Sequence, residues 1–552
     1  MTPMPRPVAI CVAVAAGLAL AACRGVTSVS AQAGPTVKSE HWPALGLDPH
    51  EIVFDNGFRI VLVEDHRVPR VAASLQYRFG ALSERNGEHG SAHFLEHAMH
   101  QGTTTVGVKD RELDRKLLRQ IYETEQALLA ERNAHRNDLR ERNVFYNEGD
   151  WTIGEKEAQL RRKLYELEDE QSKNRIFWEE YNWYRQNGGL MRHGDPVPAN
   201  TGNELLRIEV DLPKERLEMF FRLEADRMVN AVLRGWEAQR YTVLEQFFVL
   251  QRNEPGRFQE ALNGVTGLAA PIYIHTGGHQ RDHAYWNRAA MLRLYDLYIV
   301  PSNATLTLVG DMSVEEARAL GTTYFGRVPP TPAPPADMDV EAEPPPGGSV
   351  RLDWLEPVEA SVVVRYRIPG VGHPDRPVFD VIARLLRGSD GLVAAGAQGA
   401  SRGSDWQASA SSSGSQNTLT VQSRAGRDED LPALEKTALD AIERLRHDAV
   451  DEARLARVRR EFKLDWELLR TERGALATQF GSFAIADDWR TLKTHYEVRS
   501  AATTQDIQRA AERYLVPWNR VIATTRRSPQ PRAERNTASA RPASAQTTGG
   551  QQ

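Results

Sequence analysis

The chain repeats itself, and this repetition constrains the fold more than any other feature of its 552 residues. Val71–Gly80 and Ser361–Gly370 are strand-like runs that both end in a Tyr-Arg pair, an apolar residue and a glycine. Further on, Tyr298–Asn303 is repeated as Tyr514–Asn519, and each copy precedes another strand-like run. Chance similarity could explain one such pair, but two pairs in the same order favour a duplicated domain.

The spacing between these repeats is about 74 residues longer in the first half than in the second. Residues 108–187, which are dense in Glu, Lys and Arg, can account for the difference. Apolar residues recur there at helical spacing, at Leu113, Leu117 and Ile121 and again at Leu160, Leu164 and Leu167. We therefore predict an inserted hairpin of two amphipathic helices, joined near Asn143–Gly154, that packs on its parent domain. Docking of a partner on this hairpin is the alternative.

Each half mixes strand and helix patterns, and some strands follow one another directly. This pattern predicts an α+β fold of two homologous α/β sandwich domains with antiparallel-rich sheets. We place the first domain at residues 48–328 and the second at 349–527. A proline-rich linker at 329–348 separates them, and residues 528–552 have the composition of a disordered tail.

The N-terminal residues resemble a targeting segment. Residues 1–22 combine a weakly positive start with a short apolar run, which is typical of a signal peptide. The run ends in Leu-Ala-Ala before Cys23, which resembles a bacterial lipobox, so we expect a lipid on Cys23 and a tether over residues 23–47. An ordinary signal peptide, cut near Ala31–Ala33, is the alternative. By resemblance to bacterial sorting rules, Arg24 after the cysteine implies the periplasmic face of the outer membrane rather than the inner membrane.

The chemistry-bearing motif is His93-Phe94-Leu95-Glu96-His97. On a helix, His93 and His97 lie one turn apart on one face and can bind a single zinc ion. Glu96 points the same way and can act as general base toward a water that zinc has acidified. This is the inverted HxxEH motif of zinc peptidases. Two surface histidines and a solvated glutamate on an ordinary helix are the alternative.

The sequence around the motif resembles the insulinase/pitrilysin family of zinc metallopeptidases. The matching stretches are Val53–Asp65, Gly87–Ser91 before the motif, Glu224–Met228, Asn253–Arg257 and Asn303–Gly310. The resemblance covers about residues 48–527 and is stronger in the first half. It implies a clamshell of two homologous domains that encloses a chamber for extended peptides, and the helical insertion resembles one bacterial branch of the family.

Two sites depart from the family pattern. The family takes its third zinc ligand from a glutamate on a later helix, and that position falls on Gln246, next to Glu245. Because only a carboxylate makes a competent site, we choose Glu245, although Gln246 could occupy the position with weaker affinity. The family's second domain also supplies an Arg and a Tyr to hold substrate. The corresponding stretch, Leu386–Ser413, has Arg387 and Arg402 but no Tyr, and its composition predicts a loop.

These observations predict a zinc-dependent endopeptidase that cleaves peptides or unfolded protein segments. The alternative is a weakly active or inactive peptidase-like chain that binds a partner, either a second family chain or a second copy of itself. The net charge of −5 at pH 7 argues against nucleic acid as the main partner. A structural zinc site is less favoured because such sites are usually closed by cysteines, and the chain has two, one of them in the signal segment.

Overall fold

The computed structural model describes residues 35–85, 87–142, 153–191, 198–266, 276–278, 280–283, 286–332, 334, 349–355, 359–399, 405–411 and 417–527. All of them lie in the unit formed by Pro35–Gln552. The predicted signal peptide at 1–22, Cys23, Arg402, most of the linker at 329–348 and the tail at 528–552 lie outside these residues.

The described strands form two sheets, one in each half of the chain. The first sheet has the order β1-β2-β3-β8-β4-β7-β5, and β6 pairs with the same strand, β7, as β5 does. Its strands are β1 (Thr36–Ser39), β2 (Pro49–Val53), β3 (Arg59–Glu64), β4 (Arg70–Tyr77), β5 (Leu190–Met191), β6 (Ala199–Thr201), β7 (Leu206–Pro213) and β8 (Ala304–Gly310). The second sheet has the order β11-β12-β10-β13-β9, with β9 (Val350–Trp354), β10 (Ser361–Arg367), β11 (Gln407–Ser411), β12 (Thr418–Arg424) and β13 (Arg520–Thr525).

The two sheets share one topology, which confirms the predicted duplication. The order β3-β8-β4-β7-β6 recurs as β9-β13-β10-β12-β11. In both sheets the first pair of this order is parallel and the other pairs are antiparallel. The α+β class with two antiparallel-rich sheets is therefore confirmed.

The repeated Tyr…Asn segments have the same physical role in both halves. The Asn303 side-chain amide donates to the carbonyl oxygens of Tyr298 at 2.8 Å and Arg78 at 3.0 Å. The Asn519 amide donates in the same way to Tyr514 at 2.7 Å and Arg367 at 2.9 Å. Each asparagine thus ties the end of a helix to the end of a neighbouring strand, which explains why this sequence appears twice.

Helices cover the sheets. In the first half they are α1 (Ser91–Met99), α2 (Arg111–Glu141), α3 (Glu155–Asn174), α4 (Glu179–Gln186), α5 (Leu217–Asn230), α6 (Trp236–Arg252), α7 (Glu254–Thr266), α8 (Gln280–His283), α9 (Arg288–Tyr298) and α10 (Val314–Thr323). In the second half they are α11 (Arg376–Leu386), α12 (Leu392–Ala395), α13 (Leu431–His447), α14 (Glu452–Leu469), α15 (Arg473–Ala486), α16 (Thr491–Ala501) and α17 (Thr504–Tyr514).

The long helices α2 and α3 occupy the predicted insertion and pack against each other. Their parent domain holds them through buried ion pairs. The Arg234 guanidinium contacts Asp114 of α2 at 2.6 Å, and the Arg288 guanidinium contacts Glu125 of α2 at 3.1 Å and Glu168 of α3 at 3.5 Å. The hairpin is therefore fixed on the domain by charge pairing as well as by its apolar stripes.

The two halves exchange helices across their sheets. Strand β4 turns Val71, Ala73 and Leu75 toward the main core of the first half, while Ala72 on its other face packs with Phe480 of α15, from the second half. Reciprocally, Leu262 of α7, from the first half, lies in a cluster with Val363, Val521 and Ala523 of the second sheet. Each sheet is thus covered on one face by a helix from the other half.

Two segments differ from the expectations drawn from composition. Residues 23–47, expected to be a tether, contain strand β1, and Trp42 is buried between Phe480 and Trp489 with ring centroids 5.7 and 5.2 Å away. The stretch Leu386–Ser413, expected to be a loop, contains α12 and strand β11, which follows the fully buried Trp406. In both segments a large apolar side chain, that of a tryptophan, is buried. Its burial favours an ordered backbone where the small polar residues alone predicted a loop or a tether.

Candidate metal centre and active site

Helix α1, which carries the HxxEH motif, begins at a buried carboxylate. Glu84 accepts hydrogen bonds from the backbone N–H groups of Gly90 and Ala92, both at 2.8 Å. A carboxylate here satisfies N–H groups that have no acceptor within the helix and complements the positive end of its dipole. Burial raises the pKa of Glu84 to about 7, although hydrogen bonds from His89, Ala92 and Gly90 oppose the rise.

Glycine is required where α1 begins. Gly90 has a φ of +90°, in the region that side chains other than glycine rarely adopt. A Cβ atom there would also lie 2.8 Å from the carbonyl oxygen of Gly277 and 2.9 Å from the ring of Trp286. The close approach of these segments fixes the position of the first turn of the motif helix.

The rotation of α1 is set by its apolar face. Phe94 is fully buried and contacts Trp236 and Trp286, with ring centroids 4.6 and 5.0 Å apart. Leu95 and Met99 are also fully buried. Because this face is held in the core, His93 and His97 emerge together on the opposite, half-buried face.

The two motif histidines converge on one point. The Nε2 atoms of His93 and His97 lie 3.2 Å apart, and their rings are inclined by 62°. Two nitrogen ligands on a tetrahedral zinc ion, each about 2.05 Å from the metal, stand roughly 3.3 Å apart. The spacing therefore matches two adjacent ligand positions of a zinc ion.

Glu96, on the same helix as this pair, contacts strand β6. Its side chain is 7% exposed, and its Oε2 atom accepts a hydrogen bond of 2.6 Å from the hydroxyl of Thr201 on β6. Burial raises the pKa of Glu96 to about 7, and the hydrogen bonds with Thr201 oppose the rise. No motif marks Thr201, so its contact with Glu96 could not be found from the sequence.

Helix α6 lies against α1 and places a side-chain amide at His97. The Gln239 side chain hydrogen bonds to His97; burial lowers the pKa of His97, and this hydrogen bond opposes the fall. Since each helical residue turns about 100°, Gln246 returns to within about 20° of the Gln239 face, whereas Glu245 points about 120° away. Glu245 is half-buried and Gln246 is exposed.

Zinc fits the described residues in part. His93 and His97 supply two converging nitrogen donors, and Glu96 lies on the same helix. Within the described ranges, however, no three His, Cys, Asp or Glu side chains are grouped closely enough to hold a metal ion. The structure thus brings the side chains of His93 and His97 together, places Glu96 on the same helix, and does not group Glu245 with the two histidines.

A cavity of about 510 Å³ lies between the two halves, next to β6. The first half contributes Asn200 and Arg207, and the second contributes Arg376, Asp380 and Arg499. Arg387, singled out in the sequence, lines an adjoining cavity of about 310 Å³ in the second half. Arg402, the other arginine of that stretch, lies outside the described residues.

Cys23, the predicted site of lipid attachment, lies outside the described residues. In the part of the chain that the structure describes, we find no helix with the length and apolarity that crossing a bilayer requires.

Two family models match the chain. Residues 59–134 match Insulinase (Peptidase family M16), and residues 285–462 match Peptidase M16 inactive domain. The first match contains the HxxEH motif, and the second runs from the end of the first half into the second. A comparison with curated proteins gave no match.

Several solved structures share the fold. A protease from Helicobacter pylori is 16% identical, with a TM-score of 0.62 over 89% of this chain and 100% of that one. The first half of the periplasmic protease PqqL from Escherichia coli is 15% identical, with a TM-score of 0.61 over 87% of this chain and 92% of that one. Pitrilysin is 14% identical, with a TM-score of 0.61 over 90% of this chain and 47% of that one.

These matches define a peptidase-like protein of two related α+β domains. The chain is a member of the insulinase/pitrilysin-like family.

Proposed function

We propose that the chain is a zinc-dependent endopeptidase that hydrolyses peptides or unfolded protein segments. The observation that carries the proposal is the 3.2 Å separation of the His93 and His97 Nε2 atoms, with Glu96 on the same helix. Family membership supports the same reaction class.

In this mechanism His93 and His97 would hold zinc, and Glu245 is the proposed third ligand. Zinc, when bound, would polarise the peptide carbonyl and make a water molecule more acidic. Glu96 would accept a proton from the attacking water and pass it to the departing amine. Thr201, through its hydrogen bond, would hold the Glu96 carboxylate in position for both transfers.

A test compares peptide cleavage and zinc content of the wild type with those of Glu96→Gln. The substitution removes the base but no proposed ligand, so cleavage should fall by at least about 100-fold while zinc content is unchanged. Glu112→Gln, at a glutamate 80% exposed on α2, serves as the matched control. Unchanged cleavage in Glu96→Gln would rule out the proposed role of Glu96.

One observation favours a second candidate function, a peptidase-like binding chain with little or no activity. The group found against His97 is the neutral amide of Gln239, and the described residues provide no third acidic ligand. A neutral amide adds no charge to balance a divalent ion. Purified protein without zinc and without cleavage activity, yet able to bind extended peptides, would support this candidate over the enzyme.

We also propose that the chain is anchored by a lipid on Cys23 to the periplasmic face of the outer membrane. The lipobox-like sequence before Cys23 supports this location. Cys23→Ser should abolish incorporation of a labelled fatty acid and release the protein from the membrane fraction. Labelling that persists in the variant would exclude Cys23 as the attachment site.

A further inference from the structure

The cavity between the two halves carries an excess of positive charge. Arg207 enters it from the first half, and Arg376 and Arg499 enter it from the second. The acidic groups in its wall are Glu204 and Asp380. His495 also lines it but is neutral at pH 7, because burial lowers its pKa to about 4.

One carboxylate, that of Asp380, contacts two of these arginines. Asp380 lies 2.8 Å from the Nη1 atom of Arg376 and 3.6 Å from the Nε atom of Arg499. The Nε atom of Arg499 also donates to the carbonyl oxygen of His495 at 3.0 Å. Among the described residues, no hydrogen-bond acceptor engages the Nη atoms of Arg499, although its side chain is only 24% exposed. Donors on this guanidinium therefore remain for a ligand.

Arg207, on the opposite wall of the cavity, also has hydrogen-bond donors that no described residue engages. Its Nη2 atom donates to Asn200 at 3.3 Å, but its buried Nε atom has no hydrogen-bond partner in the described part of the chain. The nearest carboxylate oxygen, from Glu209, is 3.9 Å away. The other oxygen of that carboxylate, Oε1, accepts hydrogen bonds from Ser74 and Thr478. The side chain of Arg207 is 24% exposed, and no acceptor in the described part of the chain engages its Nη1 atom, so this guanidinium also has a donor for an anionic ligand.

The cavity lies close to the proposed active site. Thr201, which donates to Glu96, is flanked by Asn200 and Gly202, and both of these residues line the cavity. An extended peptide advances about 3.3 Å per residue and directs alternate side chains to opposite sides. A substrate bound with its scissile bond at Glu96 would therefore place a neighbouring side chain or its terminus in this cavity.

We propose that Arg207 and Arg499 together bind a carboxylate of the peptide substrate, so that the protein selects peptides with an acidic group near the scissile bond. The inference rests on the proposed peptidase function, because that function places the scissile bond of the peptide at Glu96, next to the cavity. The carboxylate belongs either to an acidic side chain or to the peptide C-terminus, and both present the same planar pair of oxygens to a guanidinium.

The test is a binding measurement that needs no catalysis. Three fluorescein-labelled peptides of one otherwise neutral sequence are used as probes. One carries an internal Glu and an amidated C-terminus, the second carries Gln and a free C-terminus, and the third carries Gln and an amidated C-terminus. Fluorescence anisotropy with the full-length Glu96→Gln protein gives the three dissociation constants without cleavage of the probes.

We expect at least one acidic probe to bind about 10-fold more tightly than the neutral probe, since hydrogen bonds between charged groups are the stronger ones. Arg207→Gln or Arg499→Gln, added to Glu96→Gln, should abolish this preference, and Arg499→Lys should retain part of it. Arg115→Gln makes the same charge change at an arginine 63% exposed on α2 and should leave the preference intact. Which acidic probe binds tightly identifies the source of the carboxylate.

Equal binding of the three probes, or a preference that survives in both glutamine variants, would overturn the inference. Because the two arginines belong to different halves, a folding defect in one variant, detected by its melting temperature, leaves the other as the test. Preference for acidic probes without any cleavage by the wild type would contradict the proposed peptidase function alone. Cleavage without that preference would contradict this inference alone.

Discussion

At the scale of residues, the side chains of the HxxEH motif occupy different environments on one short helix. His93 and His97 are half-buried and converge, whereas Glu96 is almost fully buried and bonded to Thr201. This division suits the proposed roles. A ligand must reach an ion that is open to substrate, and a base benefits from a pKa near neutrality, which burial of Glu96 provides.

The third ligand is the residue on which zinc affinity depends. Gln246→Glu places a carboxylate on the face of α6 that carries Gln239, the residue bonded to His97. If this face of α6 supplies the third zinc ligand, the zinc affinity of the variant should rise by about tenfold or more, because a carboxylate oxygen replaces a neutral amide oxygen. Competition with a fluorescent zinc chelator measures the change.

Two further variants complete this prediction. Glu245→Ala should release zinc only if a distortion of α6 brings that carboxylate to the histidines. Gln259→Glu makes the same substitution as Gln246→Glu at an exposed position of α7 and should leave the affinity unchanged. An unchanged affinity in Gln246→Glu together with zinc loss in Glu245→Ala would assign the ligand to Glu245.

At the scale of elements, the inserted helices contain a buried charge cluster that makes their stability depend on pH. Burial raises the pKa of Glu168 on α3 to about 7; Arg288 lowers it, whereas Glu237 and Glu125 raise it. Its side chain is 17% exposed. In the folded protein Glu168 therefore keeps its proton up to about pH 7, whereas in the unfolded chain it loses its proton near pH 4.5.

The sign of the effect follows from proton binding. Between about pH 4.5 and 7 the folded state binds one proton more than the unfolded state, so the free energy of unfolding falls as the pH rises. Glu168→Gln mimics the protonated form. It should leave stability at pH 5 nearly unchanged and raise it at pH 8 by about 1–3 kcal/mol.

Thermal unfolding at the two pH values measures this difference. Glu166→Gln, at an exposed position of the same helix, is the control and should show no such dependence. A Glu168→Gln protein that is less stable at pH 8 than the wild type would show that the ion pair with Arg288 outweighs the cost of burial.

Elements with strong periodicity or a repeated sequence could be predicted from the chain alone. Helices α2 and α3 lie in the predicted insertion, and strands β4 and β10 lie where the repeated runs indicated. In the site, the convergence of His93 and His97 followed from their spacing of one helical turn. Thr201 was not predicted as a site residue, because its contact with Glu96 joins segments that are 105 residues apart in the sequence.

At the scale of the whole chain, the main feature that the sequence does not reveal is the exchange of helices between the two halves. Helix α15 carries apolar residues on several sides, so its periodicity does not reveal which sheet it covers. In the structure it packs on the first sheet, where Thr478 donates to Glu209, and Gln76 donates to the Thr478 carbonyl oxygen at 3.2 Å. These buried polar contacts tie the two halves together beside the interdomain cavity.

Phe480 on α15 tests whether this exchange makes the halves unfold as one unit. It is fully buried and stacks with Trp42, which belongs to the first half, at a centroid distance of 5.7 Å. Phe480→Ala should lower the free energy of unfolding by about 3–5 kcal/mol, because the cavity left behind loses apolar contacts from both halves.

Urea denaturation of Phe480→Ala, followed by tryptophan fluorescence, should show one transition shifted to lower urea. Leu464→Ala, at a leucine 59% exposed on α14, removes a comparable apolar side chain without an interface and should shift the midpoint little. Because α15 covers the first sheet, loss of its anchor should destabilise residues of both halves together. Two separated transitions, with one half as stable as in the wild type, would instead mean that the exchanged helix docks without coupling the domains, and the cavity between them could then open while both sheets stay folded.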